Sequence, residues 1–500
     1  MVASSDRAVG VSLRGVLPES QWRGATDVRV TSCTSDSRAC QPGDLFVALP
    51  GTRRDGHDYL LEAVSRGARA VLVERTVPDV GVPICLVPNA REAYGRICQA
   101  LAGNPSQRVK VVGLTGTNGK TTTSFLVASV LDAGGYASGL LGTLGYFDGL
   151  DWERGALTTP AAPTLATWLA RMEVNGCSHA VMEVSSHALV QQRLAGMVLE
   201  AAAVTNVGHD HLDYHHDHES YRRAKCRIVN HLDDHGLLVV NADDEGSASV
   251  LDCWDGPAIS VGIEAAAEIT ATPLECCVSE QTFLLSAGDD SVPVRTTLIG
   301  VPNIYNCLVA AALGLGHGLD LATVVRGLEA VVRVPGRLER IECGQPFGVF
   351  VDFAHTPEAL AGCLDTLRPL VSGRLIVVFG AGGDRDRSKR PWMGRVAQAR
   401  ADLVVLTSDN PRSESPTAII DDILAGCRNR TRVEVRADRA AAIRWALRQA
   451  RPGDTVLIAG KGHETYQIIG SEQIDFDDRE IARQCLYDLA PGDESLRASA

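Results

Sequence analysis

The chain has 500 residues, 45% hydrophobic but only 5% aromatic, with a formal net charge of −13. That length suggests about three domains of ordinary size. The acidic balance argues against nucleic acid or an anionic membrane as the main partner, while leaving room for an anionic small substrate in a local basic pocket. No apolar stretch is long enough to span a bilayer, so no membrane insertion is expected, and the opening MVASSDRAVG lacks the layout of a signal peptide. Fourteen cysteines stand mostly alone in apolar contexts, such as Cys85 in VPICLVP, and none forms a CxxC pair. They read as reduced, buried thiols of a cytoplasmic protein.

In chain order, three blocks are expected: 1–108, 109–336 and 337–500. The first carries short strand-like runs (DLFVALP, ARAVLVE, ICLVP) and ends in the turn-rich Gly-Asn-Pro-Ser. The second opens with VVGLTGTNGKTTT, an apolar run feeding a glycine-rich turn and then a helix. Backbone N–H groups of such a turn converge on phosphate, and the helix N-terminus adds partial positive charge. Lys120 is placed to reach outer phosphates and Thr121 to ligate Mg²⁺. The pattern G-x-x-x-x-G-K-[ST] misses by one residue, because Leu114 takes its first glycine position. An ordinary strand-to-helix turn is the competing reading, but Gly-Lys-Thr-Thr at a strand exit is demanding, and the loop reads as a nucleoside triphosphate site.

The second block continues with alternating apolar runs (HAVMEVSS, AAAVTNV) and polar helical segments, the rhythm of a mostly parallel α/β sheet. Its last helices are expected in NCLVAAALGLG and LATVVRGLEAV. The third block repeats the pattern with GVFVDFAH, RLIVVFGAGG, ADLVVLTSDN and DTVLIAGKGHE. Ligands of open parallel sheets sit at the carboxyl ends of strands, so these exits are expected to form a second working surface. The tail PGDESLRASA reads as frayed.

HAVMEVSSHALVQQRLAG puts Glu183 just past an apolar strand, where spacing alone leaves open a Mg²⁺ ligand or a surface carboxylate. In AVTNVGHDHLDYHHDHESYRRAK five histidines crowd together, but neither a cysteine set nor an HExxH helix accompanies them. His215, His216 and His218 are expected in a solvated loop. Asp210, His211 and Asp213 are better placed for a hard cation or a substrate. Lys225 follows in an expected helix, where a lone lysine is usually a solvated charge.

GTNGKTT, MEVSSHAL-x-Q-x-R, DHLDYH followed by Ala-Lys, and PGRLE occur together and in order, from TSDSR to GKGHETYQ. Together they resemble the Mur ligases of peptidoglycan synthesis, three-domain ATP-dependent enzymes that form amide bonds, and within them the branch that completes the UDP-muramoyl-tripeptide. The resemblance implies a small N-terminal α/β nucleotide-sugar domain, a central mostly parallel-sheet ATPase domain and a C-terminal Rossmann-like α/β domain. It assigns ATP to Gly116, Thr117, Asn118, Gly119, Lys120, Thr121 and Thr122, with Asn303, Arg337, Asp352 and His355 around the adenosine and its phosphates. Mg²⁺ falls to Thr121, Glu183 and His211, and to Lys225 as a carbamylated lysine, which reverses the bland reading of that residue. UDP-N-acetylmuramoyl-L-Ala-D-Glu falls to Ser35, Ser37, Thr52, Arg53 and Arg54 at its uridine end and to Thr158, Thr159, Ser185, Gln191 and Arg193. Lys120, Lys225 and His211 carry the catalytic roles, and the expected assembly is a monomer.

GGDRDRSKRP and SDNPRSESP each place arginines at an expected strand exit, which suggests a shared anion pocket. In that branch Asp-Asn-Pro-Arg looks like the signature of meso-diaminopimelate addition, and Asp409, Asn410, Pro411 and Arg412 match it. Arg390, Gly460 and Glu464 match the accompanying contacts. Diaminopimelate differs from lysine by one carboxylate, which a guanidinium grips with two parallel hydrogen bonds. Two positions depart from the family pattern: His209 precedes the Asp where an Arg is common, and Pro302 stands near the expected adenosine-side Asn303. A folylpolyglutamate synthetase is opposed by TSDSR and DNPR. A catalytically silent relative is opposed by the joint presence of Lys120, Glu183, His211 and Lys225. A nucleic-acid motor is opposed by the acidic balance.

Overall fold

The computed structural model describes residues 10–51, 54–208, 210 and 212–489. Thr52, Arg53, His209, His211 and the tail from residue 490 lie outside the described residues. The chain divides into two compact units, one of Met1–Lys120, Leu131–Val207 and Asp217–Ile259, the other of Thr121–Val130, Gly208–His216 and Ser260–Ala500.

The first unit opens with a sheet ordered Gln21–Arg23, Ile84–Leu86, Ala70–Val73, Leu45–Val47, Cys33–Thr34. All its neighbours run parallel except the first pair. The helix Ala90–Leu101 starts where Asn89 accepts hydrogen bonds from the N–H groups of Arg91 and Glu92. Its apolar face, with Ala93, Ile97 and Cys98, joins a core that also takes Ala162 and Ala166 of the helix Ala162–Val174.

The unit's larger sheet sets Ser138–Gly142, His179–Glu183, Lys110–Thr115, Leu199–Val204 and Leu232–Asn241 side by side and parallel. The three central strands, Lys110–Thr115, His179–Glu183 and Leu199–Val204, are mostly apolar and buried, as strands of a sheet covered on both faces are. In Lys110–Thr115 every residue after Lys110 is buried, as is all of His179–Glu183. The carboxyl ends of three neighbouring strands therefore bring Thr115, Glu183 and Val204 to one edge.

In the second unit, Ile269–Cys276, Gln281–Ala287 and Asp290–Thr296 form an antiparallel meander. The helices Val301–Gly316 and Leu321–Ala330 follow. Pro302 lies in the first turn of its helix, where a missing N–H costs nothing, so that departure is accommodated without a break. The last sheet is ordered Glu339–Arg340, Gly348–Asp352, Thr455–Ala459, Leu375–Phe379, Leu403–Leu406, Val433–Val435 and is parallel after the first pair.

Two expectations need correction. His215 is buried at 5% exposure, because it ends a helical turn, Leu212–His215, that folds it inward rather than leaving it in a solvated loop. The cysteines are all unpaired, but Cys253, Cys276 and Cys277 are exposed, the last two at a strand end that leaves both thiols to solvent. Among the described residues no helix is long and apolar enough to cross a membrane.

Candidate active site

In the first unit the glycine-rich turn joins Lys110–Thr115 to the helix beginning at Lys120. Gly116 has φ of 151°, and a Cβ there would stand 1.9 Å from Thr205 Oγ1, so only glycine fits. The turn is tied to the exit of the neighbouring strand. Thr117 N–H donates to Asn206 O (2.9 Å), Asn118 N–H to Asn206 Oδ1 (2.9 Å) and Thr205 Oγ1 to Asn118 O (2.6 Å). Lys120 Nζ donates to the carbonyls of Gly116 (2.7 Å) and Thr117 (3.0 Å), holding its ammonium over the turn. Thr117 Oγ1 lies 3.1 Å from Tyr221 Oη.

Glu183 ends its strand with 1% exposure, which removes the surface-carboxylate alternative. It accepts from Thr143 N–H (2.8 Å) and Thr143 Oγ1 (3.0 Å), and Thr143 Oγ1 meets Thr158 Oγ1 at 3.1 Å. Thr159 Oγ1 donates to Glu183 O (2.9 Å) and accepts from Ser185 N–H (2.9 Å). Ser185 caps the short helix Ser186–Val190. Arg193 donates to Thr159 O (2.6 Å) and, through Nε and Nη2, to Gln191 Oε1. Glu183, Thr158, Thr159, Ser185, Gln191 and Arg193 thus form one connected polar cluster. Lys225, 1% exposed in the helix His218–Cys226, lies with Nζ 4.6 Å from the Tyr221 ring centre. Ser37, buried at the start of the short 3-10 turn Ser37–Ala39, donates to Glu62 (2.8 Å), and Arg54 is exposed.

In the second unit, Thr121 Oγ1 accepts from Arg337 Nη2 (3.0 Å), and the Arg337 guanidinium lies 4.9 Å from the Phe353 ring centre. Asp352, at a strand end, accepts from the N–H groups of Leu338 (2.6 Å) and Ala354 (2.7 Å). His355 stacks edge-on against Phe353, and its carbonyl accepts from Lys389 Nζ (2.9 Å). Asn303 Nδ2 donates to Ile299 O, and its Oδ1 accepts from Asn306, which in turn accepts from Thr123.

The two arginine-bearing segments meet. Arg412, with φ of 53°, donates through Nη1 to Gly383 O (2.8 Å), and Gly383 N–H donates to Asn410 O (2.9 Å). Ser413 Oγ donates to Asp384 (2.6 Å). Arg390 is fully buried, with its guanidinium bidentate on Glu414 (2.8 and 2.9 Å), also on Asp422 (2.9 Å), and donating to Gly382 O. That guanidinium holds the Glu414 carboxyl down at about 2. Arg390 is therefore bound within the protein, and Arg412 is the half-buried arginine of the pair. Asp409 and Asn410 are buried, Asn410 Nδ2 donates to Glu464 Oε2 (2.8 Å), and a Cβ on Gly460 would stand 2.7 Å from Asp409 Oδ2.

Other residues at these edges carried no signal in the linear pattern. Thr205 and Asn206 follow the strand Leu199–Val204, far along the chain, and only the parallel pairing of that strand with Lys110–Thr115 sets them beside the glycine turn. Arg439 and Asp478 form a fully buried pair (2.6 and 2.7 Å), and Arg439 also donates to the carbonyls of Ser408 and Ala459. Burial pulls the Arg439 pKa down, but the Asp478 carboxylate more than reverses this. The pair ties together the residues just before Asp409 and Gly460.

Comparison with known proteins gives this geometry its class. Residues 29–101 match the Mur ligase family catalytic domain, residues 114–314 the Mur ligase middle domain, and residues 336–462 the Mur ligase glutamate ligase domain. The chain belongs to the Mur ligase family, with that family's three-domain α/β architecture and ATP-dependent, amide-bond-forming chemistry. Among its relatives, the UDP-N-acetylmuramoyl-L-alanyl-D-glutamate–2,6-diaminopimelate ligase of Syntrophomonas wolfei is 40% identical, over 93% of this chain and 96% of the relative. The ligase of the same name from Synechococcus elongatus is 44% identical, over 92% and 95%. A solved structure of a ligase with that name covers 97% of this chain and 100% of its own, with 31% identity and a TM-score of 0.69. The MurF ligase of Thermotoga maritima in complex with ADP shares the fold, with a TM-score of 0.60 at 19% identity.

Proposed function

We propose that this chain adds meso-2,6-diaminopimelate to UDP-N-acetylmuramoyl-L-alanyl-D-glutamate, cleaving ATP to ADP and phosphate, in cytoplasmic peptidoglycan precursor synthesis. The observation that carries the reading is the Asp409–Arg412 segment. It displays a half-buried guanidinium, stitched to the Gly382–Asp384 loop, in a chain whose relatives are named for this substrate. The domain boundaries are read as 1–108, 109–336 and 337–500.

A carboxylate does not condense with an amine unaided. In the proposed sequence the γ-phosphoryl group passes from ATP to the substrate carboxylate, giving an acyl phosphate and ADP. The free amine of diaminopimelate then attacks the acyl carbon, and the tetrahedral intermediate expels phosphate. Both partners of the first step are anionic, so charge must be offset where they meet. Lys120, pinned to the turn by two carbonyls, supplies a preorganised cation there. The turn's backbone N–H groups and the helix N-terminus hold the phosphates.

Glu183, a buried carboxylate, and Thr121, a hydroxyl at a helix start, suit Mg²⁺, a hard cation that prefers oxygen ligands. Buried Lys225 joins that set only as its carbamate, an anion. The cation would offset phosphate charge. His211 belongs to the same proposal but lies outside the described residues. Thr158, Thr159, Ser185, Gln191 and Arg193 are read as the cradle of the muramoyl-dipeptide, and Ser35, Ser37, Thr52, Arg53 and Arg54 as its uridine end. Asn303, Arg337, Asp352 and His355 are read as the adenosine side. Arg412 is read as the grip on the distal carboxylate of diaminopimelate and Glu464 as the partner of its distal ammonium.

The test is phosphate release from ATP in the presence of the UDP-muramoyl-dipeptide, with meso-diaminopimelate or L-lysine as acceptor. Turnover confined to diaminopimelate is expected. Equal turnover with lysine would overturn the specificity, and no turnover with either would overturn the ligase reading.

A further inference from the structure

Lys461 has no part in the reading above, yet it is fully buried in the second unit. Its Nζ donates to Glu464 Oε2 (2.9 Å) and to Asn410 Oδ1 (3.1 Å), and lies 5.4 Å from the Tyr466 ring centre. Gly460, with φ of 113°, makes the bend that turns Lys461 inward. Asn410 closes the triangle by donating Nδ2 to the same Glu464 Oε2 (2.8 Å), while its own Oδ1 also accepts from Ile468 N–H (3.0 Å). Two donors therefore converge on one oxygen of Glu464, fixing the rotation of that carboxylate. A buried ammonium is costly unless paired and hydrogen-bonded, and here both acceptors come from residues read as the amino-acid site.

We propose that Lys461 is a positioning residue for the incoming amino acid. It clamps Oε2 of Glu464 and the amide of Asn410, so that Glu464 Oε1 is aimed at the distal ammonium of the substrate. This rests on the reading of Asp409–Arg412 and Gly460–Glu464 as the diaminopimelate site. Lys461 acts through Glu464, so its loss falls on the affinity for that one substrate and not on phosphoryl transfer.

The experiment is steady-state phosphate release by wild type, K461M, E464Q and the double variant, varying each of the three substrates in turn, with thermal unfolding of each protein. Wild-type turnover with diaminopimelate checks the functional reading separately, before any variant is compared. K461M is expected to raise the KM for diaminopimelate by about tenfold or more, leaving the KM values for ATP and the UDP-muramoyl-dipeptide and the kcat within about twofold. In the E464Q background the same substitution is expected to add little, because both changes remove one interaction. K461R, which keeps the charge, is expected to recover part of the loss. If K461M does not fold, K461Q, which keeps an N–H donor without charge, carries the same comparison. An unchanged KM for diaminopimelate, an equal rise in all three KM values, or full additivity with E464Q would overturn the proposal.

Discussion

The glycine turn of the first unit and the Asp409–Arg412 surface of the second are both built at the carboxyl ends of parallel strands, by different means. The turn is held by backbone groups and neutral side chains: Asn206, Thr205 and two carbonyls that fix Lys120. The second surface is held by ionised side chains, Arg390 on Glu414 and Asp422, Lys461 on Glu464, and Arg439 on Asp478. A backbone-built site holds its cation, Lys120, over the turn through the carbonyls of Gly116 and Thr117. A site built on ion pairs commits most of its charges to the protein, and only those left over can meet a substrate.

The largest expected effect follows from the first kind of site. K120M removes the preorganised cation, and kcat for phosphate release is expected to fall by about 10²–10³ with little change in thermal unfolding. A loss below tenfold would place the charge offset elsewhere. For the second kind, R412A is expected to lower kcat/KM for diaminopimelate by about 10² or more, and lysine turnover, if measurable, far less. R390M is expected to act differently from R412A. It leaves Glu414 and Asp422, both only half-buried, without their shared guanidinium, a loss of about 1.5–3 kcal/mol for hydrogen bonds to charged groups. Its unfolding temperature should therefore drop clearly, whereas that of R412A should not. Equal unfolding temperatures for the two would erase the distinction between a held and a displayed arginine.

The difference also explains what the linear sequence discloses. The turn was legible because its function resides in backbone conformation, and conformation restricts residue type: glycine at Gly116 is dictated by Thr205 Oγ1. The strands were legible because parallel sheets buried on both faces demand unbroken apolar runs, as in Leu375–Phe379 and Thr455–Ala459. Asn206 was silent because its partner lies some ninety residues earlier and only strand order joins them. Arg390 and Arg412 are alike as letters, and what separates them is Glu414 and Asp422. Lys461 sits one residue from Gly460, within a segment already singled out, but a lysine gives no sign in sequence of whether its ammonium is turned inward.

N206A tests the backbone-held site at smaller amplitude. It removes the two side-chain bonds to Asn118, one from Asn118 N–H and one to Asn118 O, but leaves the Thr117 N–H bond to the residue's own carbonyl. A rise of about tenfold or less in the KM for ATP is expected, with the KM for diaminopimelate unmoved. A shift confined to diaminopimelate would contradict the assignment of this edge to the nucleotide.

The smallest expected effect is an acid response that only the ion-paired site should give. Glu414 is held at about 2 in the folded chain by Arg390, against 4.5 for an unperturbed glutamate. A carboxyl whose pKa is depressed on folding contributes stability that is fully present above its unfolded value. That contribution fades as pH falls from about 4.5 toward 2, because the unfolded chain then binds the proton more readily. The wild-type unfolding temperature should accordingly decline over that window. E414Q, which has lost the charge at every pH, should start lower at pH 7 and decline less between pH 5 and pH 3. Parallel declines in the two proteins would assign the acid response to other carboxylates. The glycine turn holds no carboxylate of its own between Thr115 and Thr123, so N206A should follow the wild-type slope across the same range.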